Sequence, residues 1–251
     1  MTARTCLVTG ASRGIGRACA ERLSADGHRV VLVSRGRAAL EAVAQGLAGD
    51  ALVVAADVTV GAEIERVFAE VERSWGTVDV LVANAGAGAT ARIADTTDEV
   101  WQQMLDLNLT APFRCIRRAL PGMLRQEWGR VVAIASVAAK RGEPQVGAYV
   151  ASKHGLLGLV RAVATEVARH GVTANAVCPG YVDTPMTDST VAAIAARTGR
   201  SEAEAADLLA RRQPIGRLIA PGEVAAVVAM LVDNGGINGQ GVNVDGGAVQ
   251  S

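Results

Sequence analysis

The sequence predicts an α/β fold: one Rossmann-type doubly wound sheet of about seven parallel strands, with helices on both faces, in a single domain spanning residues 1–251. Three observations predict it. Short runs rich in Val, Ile and Leu alternate with longer helical patterns. Most of those short runs are continuously apolar, as strands buried on both faces require. A glycine-rich turn joins the first run to the first helical pattern.

In chain order, the strands are expected at 5–9, 29–34, 51–55, 78–83, 130–135, 172–178 and 240–244. Helices are expected near 15–26, 37–48, 61–75, 97–126, 148–170 and 221–233. Residues 183–219 break the rhythm, because they hold no strand-like run. They contain an Ala-rich stretch, Val191 to Ala196, and a helix-like run from Ser201 to Arg212. Ser201 and Glu204 have the spacing of a capping box. A late insertion after a strand end often covers a site, so 183–219 is expected to be a substrate lid.

The turn reads Thr9-Gly10-Ala11-Ser12-Arg13-Gly14-Ile15-Gly16. Gly10 permits a tight bend. Gly14 and Gly16 let the backbone approach a pyrophosphate and the helix pack on the strand. The helix N-terminus then offers free N–H groups and the positive end of its dipole to the anion.

The second strand ends at Ser34-Arg35, with no carboxylate. An acidic residue at that place would bond the ribose 2′-hydroxyl of NAD(H). Arginine suits a 2′-phosphate instead, and Arg13 in the turn can face the same group. NADP(H) is the favoured cofactor and NAD(H) the alternative.

The chain has two tyrosines, Tyr149 and Tyr181, and two lysines, Lys140 and Lys153. Tyr149 and Lys153 are four apart at the start of a helical segment, and so share one face. A free tyrosine, with a pKa near ~10, is a poor acid–base catalyst at neutrality. A nearby ammonium is expected to lower that pKa. Ser136 lies thirteen residues earlier, at the C-terminal end of a strand, where open α/β sheets bind ligands. Asn108 is a polar group in an apolar stretch with Leu105, Leu107 and Leu109.

The Gly-x3-Gly-x-Gly spacing with its preceding Thr, together with Asn108, Ser136, Tyr149 and Lys153, resembles the short-chain dehydrogenase/reductase family. The resemblance continues through Pro179-Gly180 and Thr184 to Asn243-Val244-Asp245-Gly246-Gly247. It implies that Ser136 bonds the substrate carbonyl oxygen and that Tyr149 donates a proton to it. Lys153 would tune Tyr149 and hold the nicotinamide ribose, and Asn108 would anchor a water beside Lys153. Asp57-Val58 is similar to the adenine contact, and Asn84-Ala85-Gly86 to the wall beside the ribose. The family pattern has a second asparagine where this chain has Ala83, so one side-chain bond fewer is expected there. Pro179, Gly180, Val182 and Thr184 resemble the nicotinamide contacts. The resemblance also implies a homotetramer.

Ala151-Ser152-Lys153-His154-Gly155, Asn175-Ala176-Val177-Cys178-Pro179-Gly180 and Pro214-Ile215-Gly216-Arg217 look most like bacterial ketoreductases of the polyketide and 3-oxoacyl reductase kind. Carrier-protein reductases of that kind place arginines on the surface near the pocket. Two such positions here hold Glu127 and His170, although Arg125, Arg130 and Arg169 lie close in sequence. The pocket wall is expected to include Val137, Ala138, Pro144, Gln145, Val146 and Tyr181, under Met186, Val191 and Ile194. With no evident cluster for a charged substrate, the expected substrate is an apolar ketone, cyclic or aryl forms included, or a 3-oxoacyl thioester. Two readings stand beside this: an NAD(H)-dependent secondary-alcohol or 3-hydroxyacyl-CoA dehydrogenase, and a non-catalytic dinucleotide-binding sensor.

Composition excludes other classes. Half the residues are hydrophobic, which a disordered chain does not sustain. Lys+Arg and Asp+Glu are both 25, and without a basic tract nucleic acid is not an expected partner. No apolar run has membrane-spanning length and no leader pattern precedes the first strand, so a cytoplasmic protein is expected. Cys6, Cys19, Cys115 and Cys178 show no pairing or metal-ligand spacing with the three histidines, and no metal is expected.

Overall fold

The structure, a computed structural model, describes residues 3–250. Seven strands form one sheet in the order β3-β2-β1-β4-β5-β6-β7, every neighbouring pair parallel. They are β1 (Thr5–Thr9), β2 (Arg29–Ser34), β3 (Ala51–Ala55), β4 (Val80–Ala83), β5 (Gly129–Ile134), β6 (Val172–Pro179) and β7 (Gly241–Val244). The central strands β1, β4, β5 and β6 are buried at every position. That burial is why their sequences run apolar without alternation.

On one face pack α3 (Gly61–Trp75), α5 (Ala111–Arg125) and α6 (Gly147–Val167). Ile64, Phe68, Ile116, Met123, Leu156 and Val160 form the centre of that layer. On the other face lie α1 (Gly14–Ala25), α2 (Arg37–Ala44) and α9 (Pro221–Asp233), through Cys19, Leu23, Leu40, Val224 and Val228. The 183–219 segment folds into α7 (Pro185–Thr198) and α8 (Glu202–Ala210). These share a small cluster of their own around Val191, Ala205 and Leu209. Ser201 and Glu204 form the expected capping box of α8.

The long helix expected at 97–126 is interrupted. It is α4 (Asp98–Leu105), then a π-helical turn over Asp106–Thr110, then α5. The cause is local. An α-helix would need the N–H of Pro112 to bond the carbonyl of Asn108, and proline has none. Ala111 instead reaches back five residues to the Asp106 carbonyl. The turn bulges at Asn108, which is fully buried. The helix expected at 148–170 likewise ends as α6 at Val167 and finishes in a short 3₁₀ turn before Gly171.

The strand order reverses between β1 and β4. The chain leaves those two strands toward opposite sides, which opens a crevice at their C-terminal ends. The glycine turn after β1 and the Asn84-Ala85-Gly86 segment after β4 meet there.

Candidate active site

Gly10 and Gly14 have φ of +66° and +56°, a region that favours glycine. A methyl group on Gly14 would lie 3.2 Å from Thr184 Cγ2, so the turn and the start of α7 approach closely. Asn84 ties the crevice together: its Nδ2 donates to the carbonyls of Thr9 (2.8 Å) and Gly10 (3.2 Å). The Thr9 hydroxyl accepts from the backbone N–H of Asn84 and Ala85, each at 3.0 Å. The Asn84 side chain therefore braces the turn with Ala83 as its neighbour.

The residues fit a phosphorylated dinucleotide. The Arg13 side chain at the N-cap of α1 makes no capping hydrogen bond, so the first N–H groups of the helix suit an anion. At the end of β2 the buried Ser34 Oγ has no hydrogen-bond partner among the described residues. Arg35 beside it is exposed, as is Arg13. Two bonds from Thr59 and the Arg35 charge hold the Asp57 carboxyl below its ordinary range. Val58 is buried in the core beneath Asp57. Ser12 is partly buried within the turn.

Beyond the turn runs a cleft lined by Ile15, Asn84 and Gly86 on one side and Ser136, Tyr149 and Lys153 on another. Pro179, Gly180, Val182, Thr184 and Met186 close it. Ala87, Ile134, Ala135 and Thr187, which the sequence reading did not include, also line it. They flank predicted residues, and only the fold shows that their surfaces face inward. Ala85 packs against the core beside the cleft.

Lys153 is buried, and its Nζ donates to the Ile134 carbonyl at 2.8 Å. Burial lowers its pKa from 10.5 to about 8. Its Nζ is 5.7 Å from the centre of the Tyr149 ring. The Ser136 hydroxyl lies close enough to the Tyr149 phenol to lower its pKa. Ser136 Oγ also accepts from the Ala138 N–H at 3.1 Å, which fixes the short turn carrying Val137 and Ala138. Both of those residues are buried behind Ser136 and do not line the cleft.

The expected depression of the Tyr149 pKa does not occur. Burial pushes the phenol up from 10, and the nearby Ser136 hydroxyl only partly offsets it. The Lys153 ammonium spends one donor on Ile134 and sits over the ring rather than at the hydroxyl, so desolvation dominates.

Asn108 stands behind the cleft. Its Oδ1 accepts from the Ala87 N–H at 3.1 Å, and its Nδ2 donates to the Ala87 carbonyl (2.9 Å) and the Ser152 hydroxyl (3.2 Å). A methyl on Gly86 would lie 2.9 Å from Asn108 Oδ1 and 3.5 Å from Lys153 Nζ. The π turn thus delivers Asn108 to the back of Lys153 across a glycine.

A polar network, which no sequence pattern marks, borders the substrate side. Arg212 Nη1 donates to the Tyr181 hydroxyl (3.1 Å) and pairs with Glu143 (3.0 Å). Glu143 also pairs with Arg141 at 3.3 Å. Gln145, at φ +65°, accepts from Arg197 of α7 at 2.6 Å. Gln145 and Tyr181 border the cleft without lining it. Gln213 was not legible as important. It is fully buried, accepts from the Tyr181 N–H (2.8 Å), and donates to the carbonyls of Tyr181 (3.2 Å) and Arg217 (2.6 Å).

Two other basic residues are absorbed by the fold. Lys140 donates to the Gly241 carbonyl at 2.6 Å, joining the Ser136 loop to β7. Arg130 is buried and bonds the carbonyls of Val232, Gly129 and Gly171, so it is not one of the surface arginines a carrier would meet. Arg125 and Arg169 are exposed.

A parallel sheet with a phosphate-binding turn at its reversal, and a Ser-Tyr-Lys cleft beside it, defines a dinucleotide-dependent oxidoreductase. The family model for short chain dehydrogenase matches residues 4–195, and the chain belongs to that family. It is similar, at 42% identity over 96% of this chain and 95% of the other, to a Streptomyces coelicolor protein assigned as a ketoacyl reductase. It is 40% identical to the 3-oxoacyl-[acyl-carrier-protein] reductase MabA of Mycobacterium tuberculosis, over 97% of this chain and 92% of that protein. A crystal structure of actinorhodin polyketide ketoreductase with NADPH superposes with a TM-score of 0.93 at 40% identity, covering 98% and 97% of the two chains.

Proposed function

We propose that this chain is an NADPH-dependent ketoreductase that converts the ketone of an apolar substrate or a 3-oxoacyl thioester to a secondary alcohol. The observation that carries this reading is the convergence of Ser136, Tyr149 and Lys153 on one cleft that opens onto the glycine turn. The similarity to ketoacyl reductases supports the reaction, and the NADPH of the actinorhodin enzyme supports the cofactor. So do the unpartnered Ser34 hydroxyl and Arg35, which suit a 2′-phosphate.

The α1 N-terminus and Gly10, Gly14 and Gly16 would hold the pyrophosphate. Ser34, Arg35 and Arg13 would hold the 2′-phosphate, with Asp57 and Val58 beside the adenine. Lys153 has two N–H donors beyond the one Ile134 takes, and these would hold the ribose. Val182 and Thr184 would border the nicotinamide, which when bound supplies the hydride that reaches the carbonyl carbon.

A substrate oxygen entering between Ser136 and Tyr149 accepts a hydrogen bond from each hydroxyl, and the bonds strengthen as that oxygen gains charge. Tyr149 then gives up its proton to the oxygen. Its raised pKa suits this direction, because the phenol stays protonated through the neutral range. The Lys153 ammonium beside the ring stabilises the phenolate left behind. Asn108 keeps Ala87 and the π turn in register behind Lys153.

Helices α7 and α8 act as the substrate lid. Trp101 and Phe113, on α4 and α5, are large exposed apolar side chains that suit a homotetramer interface. The four buried free thiols suit a reducing, cytoplasmic setting. The test is loss of NADPH fluorescence with a panel of ketones, 3-oxoacyl-CoA and 3-oxoacyl carrier protein. Turnover with at least one class is expected. Binding of NADPH without turnover of any would leave the sensor reading.

A further inference from the structure

The segment between β3 and α3, which holds Asp57 and Val58, is tied largely to itself. Arg66 of α3 donates to the Ala55 carbonyl at 2.6 Å. The Asp57 N–H donates to Glu63 at 2.8 Å. The Asp57 carboxylate accepts from the N–H and the hydroxyl of Thr59, at 2.9 and 2.7 Å. These bonds fold the segment onto the start of α3, but they do not fix its place at the sheet edge. Val60, at the N-cap of α3, makes no side-chain cap bond either.

A different element supplies that tie. Arg114 of α5 donates from Nη1 to the Thr59 carbonyl at 2.6 Å, across 55 residues of sequence. A guanidinium carries its donors in a fixed plane, so the bond is directional as well as charge-assisted. Ala111 and Cys115, in the first turns of α5, pack in one apolar cluster with Val58. The helix thus grips the loop twice, with apolar groups at Val58 and a cation at Thr59. The start of α5 is in turn set by the π turn, which places Asn108 behind Lys153 six residues before Arg114. One stretch of chain therefore backs both ends of the crevice. Asn108 stands behind the end with Tyr149 and Lys153, and Arg114 behind the end with Asp57.

We propose that Arg114 is a cofactor-positioning residue: by holding the Thr59 carbonyl from α5, it keeps the Asp57–Thr59 loop ready for the adenine end of NADPH. The proposal rests on the reading of Asp57 and Val58 as the adenine contact. Arg114 acts through the loop and not on the nucleotide. A loop ordered in advance saves the cost of ordering it on binding. A loop that stood in the receiving conformation only about a tenth of the time would raise the apparent Kd about tenfold.

The test measures Kd by calorimetry, with the full chain, for NADPH and for 2′,5′-ADP, which carries the adenine end and the 2′-phosphate without the nicotinamide. Arg114→Met keeps an apolar stem and removes the donor. Both Kd values should then rise roughly tenfold, the worth of one charge-assisted hydrogen bond. With a ketone that the parent reduces, kcat at saturating NADPH and the KM for the ketone should stay at the parent values. Arg114→Lys, whose ammonium still reaches the carbonyl, should recover most of the affinity. A Kd does not depend on the folded fraction, so a less stable variant still gives a reading. Unchanged Kd values in Arg114→Met overturn the proposal. So does a fall in kcat in step with affinity, which would mark a general loosening of α5 and the π turn. So does a loss in Arg114→Lys as large as in Arg114→Met. Asp57→Ala separates this proposal from the reading beneath it. If 2′,5′-ADP binding is unchanged in Asp57→Ala, adenine is not received at this loop and both fall. If Asp57→Ala weakens that binding and Arg114→Met does not, this proposal alone falls.

Discussion

Lys153 donates from the middle of the cleft to the carbonyl of Ile134, the last residue of β5, at 2.8 Å. Two residues beyond that carbonyl stands Ser136, so a single hydrogen bond sets α6, and with it Tyr149, against the strand end that carries the serine. The bond also holds a cation in a buried position, where desolvation lowers its pKa to about 8.

That value gives a pH prediction. Below about 8 the ammonium is present to stabilise the Tyr149 phenolate, and above it the charge is lost. Ketone reduction is expected to be flat through the neutral range and to fall as pH rises past about 8. Tyr149, held above its ordinary 10, stays protonated there and does not cause the fall. A pH–rate profile checks this, and a profile that falls below neutrality on the acid side instead would contradict it.

The same group links stability to pH. Folded, Lys153 releases its proton near 8, whereas unfolded it keeps it to about 10.5. Between those values the unfolded chain binds more protons, so this group's contribution to stability rises with pH. Lys153→Met lacks that rise. The difference in unfolding free energy between parent and variant should shift by on the order of 1–3 kcal/mol in the parent's favour from pH 8 to 10.5. Denaturant titrations at the two ends measure it.

Tyr149→Phe removes the proton donor and leaves the ring. Reduction should drop by roughly 10²–10⁴-fold, the usual scale for a positioned general acid. NADPH affinity, measured by fluorescence titration, should change little by comparison. Parent-like turnover would reassign the donor.

Arg35→Asp places a carboxylate where a 2′-phosphate would lie beside the Ser34 hydroxyl. NADPH binding should weaken by roughly 10–100-fold, the scale of a lost charge-assisted hydrogen bond, and NADH binding far less. Equal losses for the two nucleotides in parallel titrations would show that Arg35 reads no phosphate.

Gln213→Leu keeps an apolar stem but leaves the Tyr181 N–H, the Tyr181 carbonyl and the Arg217 carbonyl without their partner. A destabilisation of about 2–3 kcal/mol is expected, seen as a lower denaturation midpoint. An unchanged midpoint would mean that water replaces the amide at that spot.

Much of the architecture was legible in local pattern. The strands at 5–9, 29–34 and 51–55 and the helices at 61–75 and 221–233 fall where their apolar runs place them. The break in the long helix was also written in the sequence, in Pro112 standing four residues after Asn108, but periodicity alone passed over it. What was not legible is every contact between residues distant in sequence. Arg212 meets Tyr181 across 31 residues and Glu143 across 69, and Arg197 meets Gln145 across 52. No spacing rule predicts such pairs, because they depend on how α7 and α8 return over the sheet edge.

The sequence by itself determined the class of fold, the glycine turn, the spacing of Tyr149 and Lys153, and the absence of an acidic residue after β2. Each is a short-range property: side-chain periodicity, backbone freedom at glycine, or one helical turn. The tertiary structure alone decided the electrostatics. It buried Lys153, raised rather than lowered the Tyr149 pKa, and assembled the Arg212–Glu143–Arg141 chain behind Tyr181. Desolvation and ion pairing depend on what surrounds a charge in space, and that is set only when distant segments pack together.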